Sequence, residues 1–332
     1  MLLALDTSSY RLAAGIGGWL PRHSPPMRFE HFLGKAAELS LPAISISDLQ
    51  LLERSDYGYL SGLRRAAEQA GVSLNLTYAG FRADHLQDAI RVAGALGCKS
   101  IIFRPEFERP HSEKAMEARL EELHNVIAQA LPMVERYALL LALSGAGRLT
   151  AKELLHLYKT AQSELVSLAL DPASALGVLE DPVAWAEMLG GYAACLQISD
   201  YQIAPASDGA RLYCCPFGEG IVNIPGLLEI ARKSPLDVAV SVATPSEMLP
   251  LPLLDDLYLE RFQELRPMQL ARMVRLVKER GKEPAPVLLQ NTDLSEDEIL
   301  AVEEDRFEQS LEWLRGRIVW EEENFGNGMT EA

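Results

Sequence analysis

Eight short apolar runs recur along the chain at intervals of roughly 30 to 40 residues, and amphipathic stretches lie between them. Repeated β-α units around a parallel sheet require this spacing. The runs are LLALD (2–6), AISIS (43–47), SLNLTY (73–78), SIIFR (100–104), ALLLALS (138–144), VSLALD (166–171), ACLQIS (194–199) and VAVSVA (238–243). They are nearly continuously apolar, as parallel strands covered on both faces are. Stretches such as RFEHFLGKAAELS and ADHLQDAIRVAGALG carry apolar residues three and four apart, the helix period. Eight right-handed crossovers close most simply into a (β/α)8 barrel, with a doubly wound open sheet as the alternative.

Residues 1–285 are read as the barrel, with LYLERFQELRPMQLARMVRLVKERG as its eighth helix. Residues 286–320 are read as an acidic helical extension. Ser295 and Glu298 are spaced there as a capping box, and Ile299, Val302, Leu311 and Leu314 share one side. Residues 321–332 are read as a disordered tail.

The formal net charge is −16, and residues 291–332 hold 13 acids against 3 arginines. Such a field repels nucleic acid. No apolar run is long enough for a membrane span, and the first residues do not pattern as an export signal. The four cysteines, Cys98, Cys195, Cys214 and Cys215, form no C-x-x-C pair. A cytoplasmic protein is expected.

In such barrels the loops after the strands form the active face. The strand ends offer Asp6 with Ser8 and Tyr10, Asp48, Tyr78, Arg104 with Glu106, Ser144, Asp171 with Ser174, Gln197 with Asp200, and Ser241 with Thr244. No histidine is among them.

LALDPASALGVLEDPVAWAEMLGGYAACLQISDY, followed by FGEGIVNIPGLLEIARK, resembles the second half of the xylose-isomerase-like TIM barrels, the sugar-phosphate isomerase/epimerase superfamily. FEHFLGKAAELSLPAISIS and LQDAIRVAGALGCKSIIF resemble units of its first half. The resemblance implies a divalent ion, Mn²⁺, Co²⁺, Mg²⁺ or Zn²⁺, held by Glu, Asp, His and Glu from four successive strands. The two glutamates would also move the substrate proton. Matched position by position, this set becomes Ser144, Asp171, Gln197 and Ser241, so one ligand of four is retained. No metal is therefore expected, and one enters only under a rival alignment or a relocated set such as His111 with Glu106 and Asp171.

The candidate ligand-binding residues are Arg104, Glu106, Ser144, Asp171, Ser174, Gln197, Asp200, Glu219 and Ser241. Each has a plainer alternative. Asp171 before Pro172 can cap the next turn, Arg104 and Glu106 can pair on the surface, Asp200 can join a loop ion pair, and Glu219 can serve the turn between Gly218 and Gly220. Tyr213, Cys214 and Cys215 read as a loop cluster whose thiols are packing rather than chemistry. The leading expectation is a divergent superfamily member that binds a small carbohydrate-like ligand without the family's metal. Two others stay open: an active isomerase, epimerase or lyase on a sugar or polyol, and a non-catalytic interaction subunit that self-associates through the C-terminal helix.

Overall fold

The computed structural model describes residues 1–16, 21, 23–262, 264–283 and 294–317. The described strands are β1 (Leu2–Asp6), β2 (Ala43–Ile46), β3 (Ser73–Gly80), β4 (Ser100–Pro105), β5 (Leu140–Ser144), β6 (Val166–Leu170), β7 (Ala193–Ile198), β8 (Asp200–Ala206), β9 (Gly209–Cys215), β10 (Ala239–Val242) and β11 (Met248–Leu251). Eight of these, β1 to β7 and β10, form a closed parallel barrel in which β10 joins β7 to β1. The expected strands are all present and the barrel closes as read. The tail 321–332 lies outside the described residues.

The helices are α1 (Phe29–Glu38), α2 (Tyr57–Gln69), α3 (Ala83–Leu96), α4 (Glu113–Arg136), α5 (Ala151–Ala161), α6 (Pro172–Gly177), α7 (Pro182–Leu189), α8 (Ile224–Arg232), α9 (Asp256–Leu259), α10 (Pro267–Arg280) and α11 (Glu296–Arg315). The first eight fill the crossovers between successive barrel strands. The helix expected as the eighth, now α10, instead packs on β8, outside the barrel. The seam between β10 and the turn after β1 is covered by α11, the helix of the C-terminal extension. Its Ser295–Glu298 capping box is formed.

The barrel strands alternate more sharply than their apolar runs suggest. Large residues such as Leu3, Leu5, Ile44, Ile46, Phe103, Leu168 and Leu170 belong to the main core beneath the helices. Each such burial contributes about 1.5–3 kcal/mol. The intervening positions, Ile102 of β4 apart, are small or polar. Ile102, Ala142, Ala169 and Cys195 form a separate cluster, and Ser100 Oγ donates to Asn75 Oδ1 at 2.9 Å while lying 3.8 Å from Cys195 Sγ on β7. A contact from β4 to β7 places these side chains inside the barrel. With Ile102 the one branched side chain of that cluster, the interior there is less filled than in barrels lined throughout by branched residues.

Strands β8, β9 and β11 form a separate antiparallel sheet that the periodicity did not reveal. Tyr213, Cys214 and Cys215, expected in a loop, lie in β9, and all four cysteines are buried and free. The β8–β9 hairpin turns at Asp208–Gly209, where Gly209 has φ +144°. A side chain at Gly209 would also meet the backbone of Leu251 and Leu253.

Candidate functional site

A cavity of about 170 Å³ opens at the C-terminal ends of the barrel strands. Its floor is made by Arg104 from β4, Asp171 after β6 and Gln197 from β7. Thr7 and Ser8 after β1, with Ser47 and Asp48 after β2, form one wall. Tyr201 of β8 and Met248 and Leu249 of β11 form another, so the added sheet shapes the mouth.

Two buried carboxylates face Arg104. Asp6, at the end of β1, is 2% exposed, and its Oδ1 accepts from Ser8 N at 3.0 Å and Ser8 Oγ at 2.6 Å. Asp171 accepts from Ala173 N at 2.9 Å and from Ser174 Oγ at 3.1 Å. Both therefore cap the turns that follow their strands. Burial raises both carboxyls above the ordinary value, against the opposing pull of these hydrogen bonds and of the Arg104 charge. Burial and the Asp171 charge likewise raise the Tyr201 phenol.

The guanidinium of Arg104 is half-buried. Among the described residues it makes no hydrogen bond and no ion pair within 4 Å. The expected surface pair with Glu106 is absent, and Glu106 is exposed and outside the cavity lining. At the rim, Arg11 pairs with Glu247 at 2.5 Å. Thr7 Oγ1 and Ser47 Oγ share a hydrogen bond of 2.8 Å.

Of the nine residues singled out from sequence, the cavity lining brings together Arg104, Asp171 and Gln197. Ser174 lies directly behind, donating to Asp171. Ser241 sits beside Gln197 in the sheet register but is 7% exposed and does not line the cavity. Ser144 Oγ accepts locally from Ala146 N at 3.3 Å. Asp200 is fully buried and accepts from four backbone amides, which is incompatible with the expected loop ion pair. Glu219 is exposed on the turn those amides form. Thr7, Ser47 and Tyr201 were not singled out, because none stands in a recognisable motif. Ser8 and Asp48 stood among the strand-end residues without being selected.

The donor set does not fit the divalent ion implied by the family resemblance. The four matched positions supply two hydroxyls, one carboxamide and one carboxylate, and the positive charge of Arg104 already acts on that carboxylate. Hard divalent cations need several oxygen donors with net negative charge. Among the described residues no three His, Cys, Asp or Glu side chains stand together as a cation cage.

The raised carboxyls have a consequence for stability. Asp6, Asp171 and the buried Glu303 of α11 bind their protons more tightly in the native state than in the unfolded chain. From the ordinary carboxylate values of 3.8 and 4.5 upward, the native state thus holds more protons than the unfolded state. Stability falls as pH rises through that window, and the self-repulsion of a −16 chain acts in the same direction. The thermal midpoint should be higher near pH ~5 than near pH ~8. A midpoint that rises with pH over this range would refute the assignment.

The cavity's position at strand ends can be compared with known proteins. The sequence profile described as xylose isomerase-like TIM barrel matches residues 61–268. A 3-oxo-isoapionate decarboxylase from Pectobacterium atrosepticum is 23% identical over 236 residues, covering 70% of this chain and 82% of that protein. Among solved structures, an IolI protein with a bound zinc atom superposes with TM-score 0.57 at 15% identity, over 84% of this chain and 96% of that one. An L-ribulose 3-epimerase superposes with TM-score 0.58 at 11% identity, over 95% and 96%. These two structures agree in fold. With the profile spanning most of the barrel, from α2 to the start of α10, the chain belongs to the xylose isomerase-like TIM barrel family.

Proposed function

We propose that this protein is a divergent family member that has given up most of the divalent-metal ligands and binds a small carbohydrate-like ligand at the C-terminal face of the barrel. The observation that carries the reading is the composition of the mouth. A polar cavity at the strand ends is lined by Thr7, Ser8, Ser47, Asp171 and Gln197 beside the Arg104 guanidinium, while the other two positions matched to metal ligands, Ser144 and Ser241, offer only hydroxyls and stand outside the lining. Hydroxyls and a carboxamide suit a ligand rich in hydroxyl groups.

Metal content decides the first half of the proposal. Untagged protein incubated with Mn²⁺, Co²⁺, Mg²⁺ and Zn²⁺, then desalted, should retain clearly less than one equivalent of any metal by elemental mass spectrometry. Near-stoichiometric retention that Asp171→Ala abolishes would overturn it.

A second reading, metal-free turnover of a sugar or sugar acid, has one observation in its favour. Asp171 is a carboxyl held above the ordinary range at the edge of a cavity, as a general acid would be. The matched relative is named a decarboxylase, so an oxo acid is the first substrate class to assay. Conversion that persists in the metal-free protein and is lost in Asp171→Asn would favour this reading.

A further inference from the structure

A guanidinium carries five N–H donors and keeps its charge at any physiological pH, so a half-buried one without partners is unusual. Other arginines in this protein show the ordinary arrangement. Arg109 forks onto Glu153 with two bonds of 2.7 Å and donates to the carbonyls of Arg148 and Arg261. Arg306, also buried, donates to the Pro245 carbonyl. Arg104 has nothing comparable among the described residues, and it lines the cavity.

The two carboxylates whose charges act with Arg104 do not take up its donors. Asp6 is committed to Ser8, and Asp171 to Ala173 and Ser174. Their fields favour the cation at the mouth and leave its donors open to whatever enters. We propose that Arg104 anchors an oxyanion subsite, and that the occupant of the mouth is a small polyol bearing one carboxylate or phosphoryl group. This rests on the reading of the mouth as a carbohydrate-ligand site and names the ligand class.

The rest of the cavity matches such a molecule. A cavity of about 150 Å³ holds benzene, so the 170 Å³ here accepts a skeleton of few carbons rather than an extended glycan. Gln197, Ser8 and Tyr201 offer hydrogen-bonding groups around the anchor, and Met248 and Leu249 present an apolar wall for the carbon chain. Rim charges do not compete for the anchor, since Glu247 is paired with Arg11 and Asp48 caps the Gln50 amide. In a chain of net charge −16, recruitment of an anion depends on a local cation.

Calorimetric titration of the full chain at low ionic strength tests the proposal, with erythronate, inorganic phosphate and the neutral analogue erythritol as probes. Erythronate or phosphate should bind at least about tenfold more tightly than erythritol, the size of one charge-assisted contact. Arg104→Gln should abolish that preference, and Arg104→Lys, which keeps a charge but not the planar fork, should retain part of it. Erythronate ahead of phosphate assigns the oxyanion to a carboxylate, and the reverse order assigns it to a phosphoryl group. Circular dichroism melting should be little changed in both variants, because among the described residues the side chain has no hydrogen-bond partner to lose, and Asp6 and Asp171 keep theirs. Erythritol binding as tightly as either anion, or an anion preference unchanged in Arg104→Gln, would overturn the anion subsite while leaving the polyol reading standing. Failure of all three probes would overturn both.

Discussion

Replacing Asp200 by alanine should destabilise the protein by about 3–5 kcal/mol, more than any single change at the cavity floor. The carboxylate is completely buried. Its Oδ1 accepts from the amides of Tyr201 at 2.9 Å and Val222 at 3.0 Å, and its Oδ2 from those of Gly218 at 2.9 Å and Gly220 at 3.0 Å. Truncation takes the acceptor from four amides at once, those of Tyr201 and Val222 being buried. The turn is built around this contact, because a Cβ at Gly220 would lie 2.1 Å from Asp200 Oδ1. Asp200→Asn keeps the volume but turns an N–H₂ group toward two of those donors, so about half the loss should remain. The readout is the urea unfolding midpoint of each variant. A loss below about 1 kcal/mol for Asp200→Ala would show that water replaces the carboxylate and that the turn does not depend on it.

The bonds from Gly218 and Gly220 to Asp200 also explain why the Gly-Glu-Gly segment was legible while its role was not. Two glycines flanking an acid look like a ligand loop, but their freedom serves a protein carboxylate eighteen to twenty residues earlier. The barrel was readable because each strand is a compact apolar run between polar turns. Eight repeated right-handed crossovers then favoured closure over the doubly wound sheet. The sheet of β8, β9 and β11 was missed because it is not part of that period, although the Asp208–Gly209 pair between alternating residues is a hairpin signal. The interior of the barrel was missed for another reason. Alanine, serine and cysteine between leucines still read as a continuous apolar run, and only the register separates the inward set from the outward one. At the site, strand-end position picked out Arg104, Asp171 and Gln197, which line the cavity. It could not foresee that Arg104 would lack a hydrogen-bond partner among the described residues, since that depends on side chains distant in sequence.

The C-terminal helix gave the least away, because its buried face is partly charged. Phe307, Leu311 and Leu314 pack inward, but so do Glu303, Arg306 and Ser310. Glu303 is 1% exposed, and it accepts from the amides of Leu12 and Ala13, each at 2.9 Å, and from Ser246 Oγ at 2.9 Å. Those donors lie on the turns after β1 and β10, the same turns that present Thr7, Ser8, Arg11, Pro245 and Glu247 to the cavity. One carboxylate thus ties two walls of the mouth to α11, and Tyr10 packs against Phe307 with ring centroids 5.3 Å apart and planes tilted by 51°. Glu303→Ala should cost about 2–4 kcal/mol, since it leaves two half-buried amides and a half-buried hydroxyl without their acceptor. It should also weaken erythronate binding at pH 7, although the side chain never touches the cavity. Glu303→Gln, which keeps one acceptor oxygen, should recover part of both effects. If stability falls while probe affinity holds, the two turns keep their shape without the helix and α11 is only a cover for the barrel seam. A parallel loss of both makes the helix part of the binding site, the residue that couples them being a buried glutamate rather than any member of the apolar stripe.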